Sequence, residues 1–560
     1  MRSPRIDPLR SFAANLLHRV DSSSKILDEV LASEFARLET VTGNKRHRAR
    51  LLVQEVVKRK GTIDQILKIY ASRSVDEMEN HVRTILRMAL AEWFFVPPAP
   101  LTPDEKATLD EELAVRRKRL LARAEREPAA VGGPDLEDDE ENGESRGRGR
   151  GRGRDRGRGR GRFDRSRDRD RGRGRPPRHV SEEERALIEG RTPPPIARGP
   201  IAAALVNLVG EGRPSRGFVN GILRRIDRAA RFEPGLELGG DDFPRDLFPA
   251  AGGGAYRFDQ PLFADPEHKP ATWLAQYQSL SRWLTERFIA RYELKTAVEV
   301  ALASNAAPAL SVRINTRRTT PEAALKELEA LGVEIVSTPF PEVFRLATHI
   351  PLTKTDLFQR GEIYLQDLTS TRIGHAVDLR PGMRVLDACA APGGKLTHIC
   401  ERLDGKGTFV ALDISDRRLV LVEDNIERLG HHEIQVERAD LREYAAGPER
   451  PEEEKFDLVL VDAPCTNTGV LARRVDARWR VNDKLQHDLI QLQTQLLESA
   501  RRLVKTNGRI IYSTCTLEPE ENRGIVERVG LDVVHDELWL PQPSVHDGGY
   551  HAVLRDPSTG

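Results

Sequence analysis

The sequence predicts a multi-domain chain. An all-α bundle is broken by a disordered arginine/glycine insertion, a small α+β unit follows, and a C-terminal α/β domain with a parallel, Rossmann-like sheet ends the chain. Three observations predict this. At 560 residues the chain exceeds what a single core supports. Its first hundred residues place apolar side chains at three- and four-residue spacing. After residue 376, short apolar runs alternate with helical stretches, which is how parallel strands joined by helices read in sequence.

From Pro8 to about Val96 the stretches "AANLLHRV", "KILDEVLASEFARL", "RARLLVQEVVKRK", "TIDQILKIYA" and "NHVRTILRMALAEWFF" each carry one apolar face, and Gly61-Thr62 reads as the start of a new helix. This first part of a helical domain spans 1–100. Residues 101–195 are charged: one helix-like stretch, an acidic run, then an Arg/Gly tract over 146–175. That tract holds fifteen arginines and four aspartates, a net charge of +11. With no apolar face to bury, nothing opposes its ordering entropy, so disorder is expected. Such arginine density draws phosphates and stacks on unpaired bases, raising affinity for nucleic acid without selecting a site; a solubilising linker is the bland alternative.

Helical patterning returns over 196–232 with "GFVNGILRR", so the bundle resumes after the insertion. Residues 233–270 read as a linker. Residues 271–375 read as helices followed by an α+β unit, with "ALSVRINT", "PEAALKELEALG", "VEIVSTP" and "FRLA" as strand, helix, strand and strand. The catalytic candidate is 376–560.

No signal-peptide pattern or membrane-length apolar run is read, and the four cysteines lack close metal-ligand spacing. A cytoplasmic, reducing location without metal or membrane partner is expected. The overall charge of +1 says nothing about partners.

"VLDACAAPGGKLTHI" is a strand, a turn and a helix in which Gly393 and Gly394 would let backbone approach a ligand. It matches neither the dinucleotide fingerprint nor the phosphate loop, which disfavours those ligands. Asp387, Asp413, Asp440 and Asp462 stand near strand ends, where carboxylates can accept hydrogen bonds from amines and hydroxyls, although each could simply cap the next helix. Cys465 and Cys515 each follow an apolar run, in "DLVLVDAPC" and "GRIIYSTC", where open α/β sheets bind ligands. Alone, either would read as a small buried hydrophobe; as a pair at strand ends they read as chemistry. Cys400 reads as structural.

"DACAAPGGK", "DAPC" and "YSTCTLEPEEN" together resemble the NOL/NOP/Sun family of S-adenosylmethionine-dependent RNA 5-methylcytosine methyltransferases, in its bacterial small-subunit ribosomal RNA branch. The N-terminal helices with "GFVNGILRR" resemble a NusB-type domain. The resemblance implies a methyltransferase acting on RNA, with S-adenosylmethionine as cofactor and a monomeric chain. It implies that Cys515 is the nucleophile, that Cys465 serves product release, and that Asp462 protonates or orients the base. Lys395 would face the methionine carboxylate or the target base. Cys389, Ala390, Ala391, Pro392, Gly393, Gly394, Lys395, Asp413, Asp440 and Asp462 would surround the cofactor. A catalytically idle RNA-binding factor would be expected to lose a thiol or the turn, and a DNA or small-molecule methyltransferase would not account for the helical domain joined to an Arg/Gly tract. The chain departs from family habit at Val475, where proline is usual, at Asn507, where glycine is usual, and in its short stretch between "TCT" and "DGGYHAVL".

Overall fold

The structure is a computed structural model that describes residues 7–23, 26–36, 43–97, 103–126, 181–189, 192–194, 196, 198–209, 214–238, 243–251, 253–348 and 350–559. The Arg/Gly tract lies outside these residues.

The N-terminal helices include Pro8–Ser22, Leu27–Ala36, Gly43–Tyr70, Asn80–Phe94, Arg198–Leu208 and Pro214–Ala229, so the bundle does resume after the insertion. Asp7 caps the first of them by accepting from Leu9 N and Arg10 N, a contact of the kind worth about 1 kcal/mol. Helix Asn80–Phe94 is buried nearly all round, with Ile85, Leu86, Met88, Ala89 and Leu90 fully covered, so it is the centre of the bundle. Gly61-Thr62 does not start a helix. Gly61 sits inside one 28-residue helix, and a side chain there would meet the Trp479 ring and Ser279 at 3.0–3.3 Å. Glycine permits that close approach and Gly61 N donates to Ser279 Oγ at 2.8 Å.

Within 101–195 the expected charged helix is present as Pro103–Arg126, and a second helix, Glu182–Glu189, which the sequence reading lacked, is joined to it by an Arg116–Glu183 ion pair. The segment read as a linker also holds structure. Ala230–Glu233, Leu247–Pro249 and Ala255–Phe258 form an antiparallel three-stranded sheet whose Phe248, Tyr256 and Phe258 pack on Phe94. These strands are three or four residues long and interrupted by Pro, Gly and Asp, too short for periodicity to register.

Helices Pro270–Gln278, Arg282–Arg291 and Leu294–Ala303 extend the same core. A four-stranded antiparallel sheet follows, in which Leu310–Ile314 lies between Val343–Leu346 and Ile363–Leu365, with Ile335–Ser337 at the edge.

The C-terminal sheet has seven strands: β1 (Met383–Asp387), β2 (Gly407–Asp413), β3 (Ile434–Arg438), β4 (Phe456–Asp462), β5 (Val504–Thr514), β6 (Asp532–Trp539) and β7 (Gly549–Arg555). Their order is β3-β2-β1-β4-β5-β7-β6. β1 to β5 are mutually parallel, whereas β7 inserts antiparallel between β5 and β6. The expected doubly wound sheet is therefore present with one reversed strand, because β6 and β7 are joined by a loop with no crossover helix, which turns the chain back antiparallel. Helices α1 (Gly394–Arg402), α2 (Asp416–Leu429), α3 (Leu441–Ala445), α4 (Asp483–Leu503) and α5 (Arg523–Val529) cover its faces. β4 is buried along most of its length, as a central strand covered on both faces should be.

Candidate active site

β1, β4 and β5 are adjacent and parallel, so their C-terminal ends form one edge, and the residues singled out in the sequence lie along it. Cys465 and Cys515 follow β4 and β5, and their sulfurs are 3.3 Å apart as free thiols. Cys465 is buried; Cys515 is partly exposed and lines an open cleft with Lys395, Asp462, Ser513 and Tyr550. The hydrogen bond with Cys515 and, next, burial push the Cys465 thiol well above its ordinary range.

Lys395, in the first turn of α1, donates to Asp462 Oδ2 at 2.6 Å, and Ser513 donates to Asp462 Oδ1 at 2.7 Å. Burial lowers the Lys395 pKa, but Asp462 and then Asp387 outweigh it, so the ammonium is held protonated. Asp387 is buried at the end of β1, and desolvation pushes its carboxyl up to about 7 against the pull of Lys395. Burial and Asp387 also raise the Cys389 thiol, far from thiolate formation.

The turn 389–394 has Gly393 at φ +98°, which favours glycine. Gly394 also admits the neighbouring α+β unit, because a side chain there would collide with the Tyr364 ring at 2.8 Å. From that unit the buried Arg313 donates to Gly394 O at 2.7 Å and to Glu401 Oε1 at 2.8 Å, fixing α1 behind the turn. Ala390 and Ala391 are buried, and the carbonyls of Ala391 and Pro392 accept from Arg418 and Asn425 at 2.9 and 3.0 Å.

Asp413, at the end of β2, is 3% exposed. Its Oδ1 accepts from Ser415 N at 3.1 Å, while Oδ2 accepts no hydrogen bond and has Arg418 Nη1 at 3.2 Å as its ionic neighbour. Asp440 is already engaged: it caps α3 through Arg442 N and holds the Arg442 guanidinium, which keeps its carboxyl low. The capping alternative therefore describes what Asp440 does within the protein.

Several residues here carried no role in the sequence reading. Asn467, at φ +63°, donates to Cys465 O at 2.7 Å and accepts from the Cys515 thiol at 3.2 Å, tying the two loops together. The buried Glu521 accepts from Thr466 N at 3.0 Å, Thr466 Oγ1 at 2.5 Å and Gln493 Nε2 at 3.0 Å. Asn522 accepts from Thr514 Oγ1 at 2.6 Å and donates to Thr516 O at 3.1 Å. The "PEEN" run thus holds both thiol loops in place, a signal that lay in the quoted stretch without a contact to give it meaning.

The segment after Cys465 is anchored far from the sheet. The guanidinium of Arg478, fully buried, donates to the carbonyls of Lys58, Ser279 and Ser304 at 3.0, 3.3 and 2.8 Å and to Asn305 Oδ1 at 2.8 Å. Trp479 Nε1 donates to Val57 O at 2.7 Å. Val475 is buried in the same core, an apolar contact in place of the usual proline.

Residues 375–546 match the family model of 16S rRNA methyltransferase RsmB/F, residues 280–353 the RsmF/B-like ferredoxin-like domain, and residues 7–115 the NusB family. The chain is 32% identical over 309 residues to the probable ribosomal RNA small subunit methyltransferase B of Bacillus subtilis (strain 168), covering 55% of this chain and 62% of that one. It is 35% identical over 290 residues to the ribosomal RNA small subunit methyltransferase B of Klebsiella pneumoniae (strain 342), covering 49% and 65%. The alignments thus span less than two thirds of these relatives' own lengths. The crystal structure of PH0851 superposes with a TM-score of 0.60 at 19% identity, covering 99% of this chain and 100% of that chain, a likeness of fold.

Proposed function

We propose that this chain is a methyltransferase of the RsmB/F type, a reading its matches to the RsmB/F, ferredoxin-like and NusB models support, and that it methylates carbon 5 of cytosine in RNA, with small-subunit ribosomal RNA as substrate and S-adenosylmethionine as methyl donor. The observation that carries the reading is the meeting of the Cys465 and Cys515 sulfurs, 3.3 Å apart at neighbouring strand ends beside the Lys395–Asp462 pair.

The residues around β1 and β2 fit the donor. Asp413 Oδ2 is a buried acceptor without a hydrogen bond, suited to a ribose hydroxyl. Asp387 resists ionisation because it is buried, and a cation such as the methionine ammonium docking near it would relieve that. Backbone of the turn formed by Cys389, Ala390, Ala391, Pro392, Gly393, Gly394 and Lys395 would line the donor, with Asp462 at its methyl end. Asp440 would meet the adenine amine by sharing its carboxylate with Arg442. S-adenosylmethionine, when bound, supplies the electrophilic methyl group that an activated carbon 5 takes up.

Cys515 is the nucleophile because it is the thiol that reaches the cleft. Its thiol loses its proton to solvent, the thiolate sulfur bonds to carbon 6 of cytosine, the carbon 5–carbon 6 double bond opens, and electron density reaches carbon 5. Asp462 orients ring nitrogen 3, with the Lys395 ammonium 2.6 Å from it as proton source. Cys465 stays a neutral thiol chiefly because of its hydrogen bond with Cys515. Once the Cys515 sulfur is bonded to carbon 6, that constraint falls away, Cys465 can lose its proton to solvent, and the resulting thiolate takes the carbon 5 proton, directly or through a water. The electrons of that C–H bond restore the double bond and expel the Cys515 thiolate. The arginine-rich tract supplies phosphate affinity to RNA held at this site.

Bisulfite sequencing of ribosomal RNA from a deletion strain tests this, together with incubation of the protein with small-subunit RNA containing 5-fluorocytidine, whose carbon 5 has no proton to release. One cytosine should lose its methyl mark in the deletion strain, and the fluorinated RNA should stay attached on denaturing electrophoresis. Unchanged bisulfite profiles with no attached RNA would sink the reading.

A further inference from the structure

A cleft of about 770 Å³ opens beside the thiol site, between helix Leu294–Ala303 and the loop 540–546 that leads from β6 to β7. Its volume falls in the range of small-ligand sites, roughly 300–1,000 Å³. Leu302 and Pro541 give it apolar surface, while Glu299, Gln542 and His546 offer polar groups. Arg372 and Trp539 line this cleft and the thiol cleft alike, so the two adjoin across that pair of side chains.

The shared pair has the chemistry of a nucleotide. The Arg372 guanidinium lies over the Trp539 indole and is paired with Glu537, and its Nε is buried without a hydrogen-bond partner. The indole is partly buried and meets the His546 ring at 4.9 Å. An indole face accepts any stacked base, here once the guanidinium that covers it swings aside, and a guanidinium so displaced is suited to the phosphate between two nucleotides. A base held at Cys515 is covalently tied to its neighbours, so an adjoining nucleotide lies within reach of the cleft that borders that site. Gln542, exposed on the loop, can donate to and accept from a base edge.

We propose that this cleft receives the nucleotide adjoining the methylated cytosine, its base against Trp539 and its polar edge toward Gln542, with Arg372 at the linking phosphate. The cleft would then set sequence preference next to the target. This rests on the RNA methyltransferase reading above.

The test uses the full chain and a short RNA around the methylated cytosine, with 5-fluorocytidine at that position and the yield of attached RNA as readout. In the unaltered protein, an abasic site at one neighbour should raise the half-saturating RNA concentration roughly tenfold, the scale of one lost base-aromatic stack. Trp539→Ala should do the same with intact RNA and add no further loss on the abasic RNA, and Trp539→Phe should restore most of it. Gln542→Ala should change the preference among the four bases at that neighbour, and this exposed position guards against a Trp539 variant that fails to fold. S-adenosylmethionine affinity, measured by calorimetry, should stay within twofold in the Trp539→Phe and Gln542→Ala variants. Abasic RNA that behaves as intact RNA at both neighbours, or losses from Trp539→Ala and the abasic site that multiply, would overturn the subsite while leaving methyl transfer standing. No attached RNA with the unaltered protein would instead remove the chemistry on which the subsite depends.

Discussion

Cys400 and Cys465 are both buried thiols beside the same sheet, yet they face different surroundings. Cys400, on α1, has Glu433 Oε1 at 3.5 Å, Arg317 Nη1 at 3.7 Å and His431 Nδ1 at 3.9 Å, and burial with the Glu433 charge holds its thiol protonated. Cys465 has a second sulfur at 3.3 Å and an open cleft beyond it. Cys389 and Cys515 repeat the contrast nearer the surface, one enclosed by carboxylates and the other bordered by Lys395 and Asn467. Burial alone makes a cysteine inert. A thiol becomes chemically usable where a partner can exchange its proton and a substrate can reach its sulfur.

The largest effect should come from replacing the two neighbouring thiols one at a time. Cys515→Ala should lose methyl transfer by roughly 10³-fold or more and form no RNA adduct, the scale of removing a nucleophile. Cys465→Ala should still add and methylate once, then stall with RNA attached on a denaturing gel, and the band should vanish when Cys515 is also replaced. An adduct in the Cys515 variant that disappears in the Cys465 variant would reverse the two roles.

The enclosed pair gives a prediction in pH. Asp387 has its folded pKa raised to about 7, above an unfolded value near 3.9, so the folded state binds the extra proton. That contribution to stability is full below about pH 4 and is lost as pH rises toward 7. Asp387→Asn should therefore gain stability relative to the parent over that window, by on the order of 2–4 kcal/mol at pH 8, with no cofactor added. Thermal melts from pH 5 to 8 measure it; a difference that does not grow with pH would show that the parent carboxyl is ionised throughout.

The smallest effect belongs to Cys400→Ala. Removing one buried sulfur should cost about 1 kcal/mol of stability and leave turnover within twofold. Iodoacetamide at pH 8 should label Cys515 before Cys389 or Cys400 in the folded protein, read by mass spectrometry. Cys400 labelling first would erase the contrast between the pairs.

What could be read from the sequence follows how local each feature is. The turn 389–394, the two strand-end thiols and the strand-helix alternation each lie within one short stretch, so periodicity and motif reveal them. Asn467 and Glu521 act by bridging loops that are far apart along the chain, and no spacing announces such a bridge. Gly61 and Gly394 each have a contact that the sequence does not announce. Each reads as punctuation or ligand approach, and each turns out to make room for an aromatic ring from another part of the molecule, Trp479 and Tyr364. The segment 233–270 was misread because its strands are too short to show alternation. Asp440 followed the ordinary propensity of an acid ahead of a helix.

Arg478 has a consequence for how the molecule opens. Its charge is buried on carbonyls from Lys58 in the first helical domain and from Ser279 and Ser304 in the helices before the α+β unit. If those helices unfold, the guanidinium loses acceptors and the loop leading back to Cys465 loses its anchor. The thiol loop and the N-terminal bundle should therefore exchange their amide hydrogens as one cooperative unit, although hundreds of residues separate them along the chain. An evolving chain could not trade one for a foreign counterpart without rebuilding that joint.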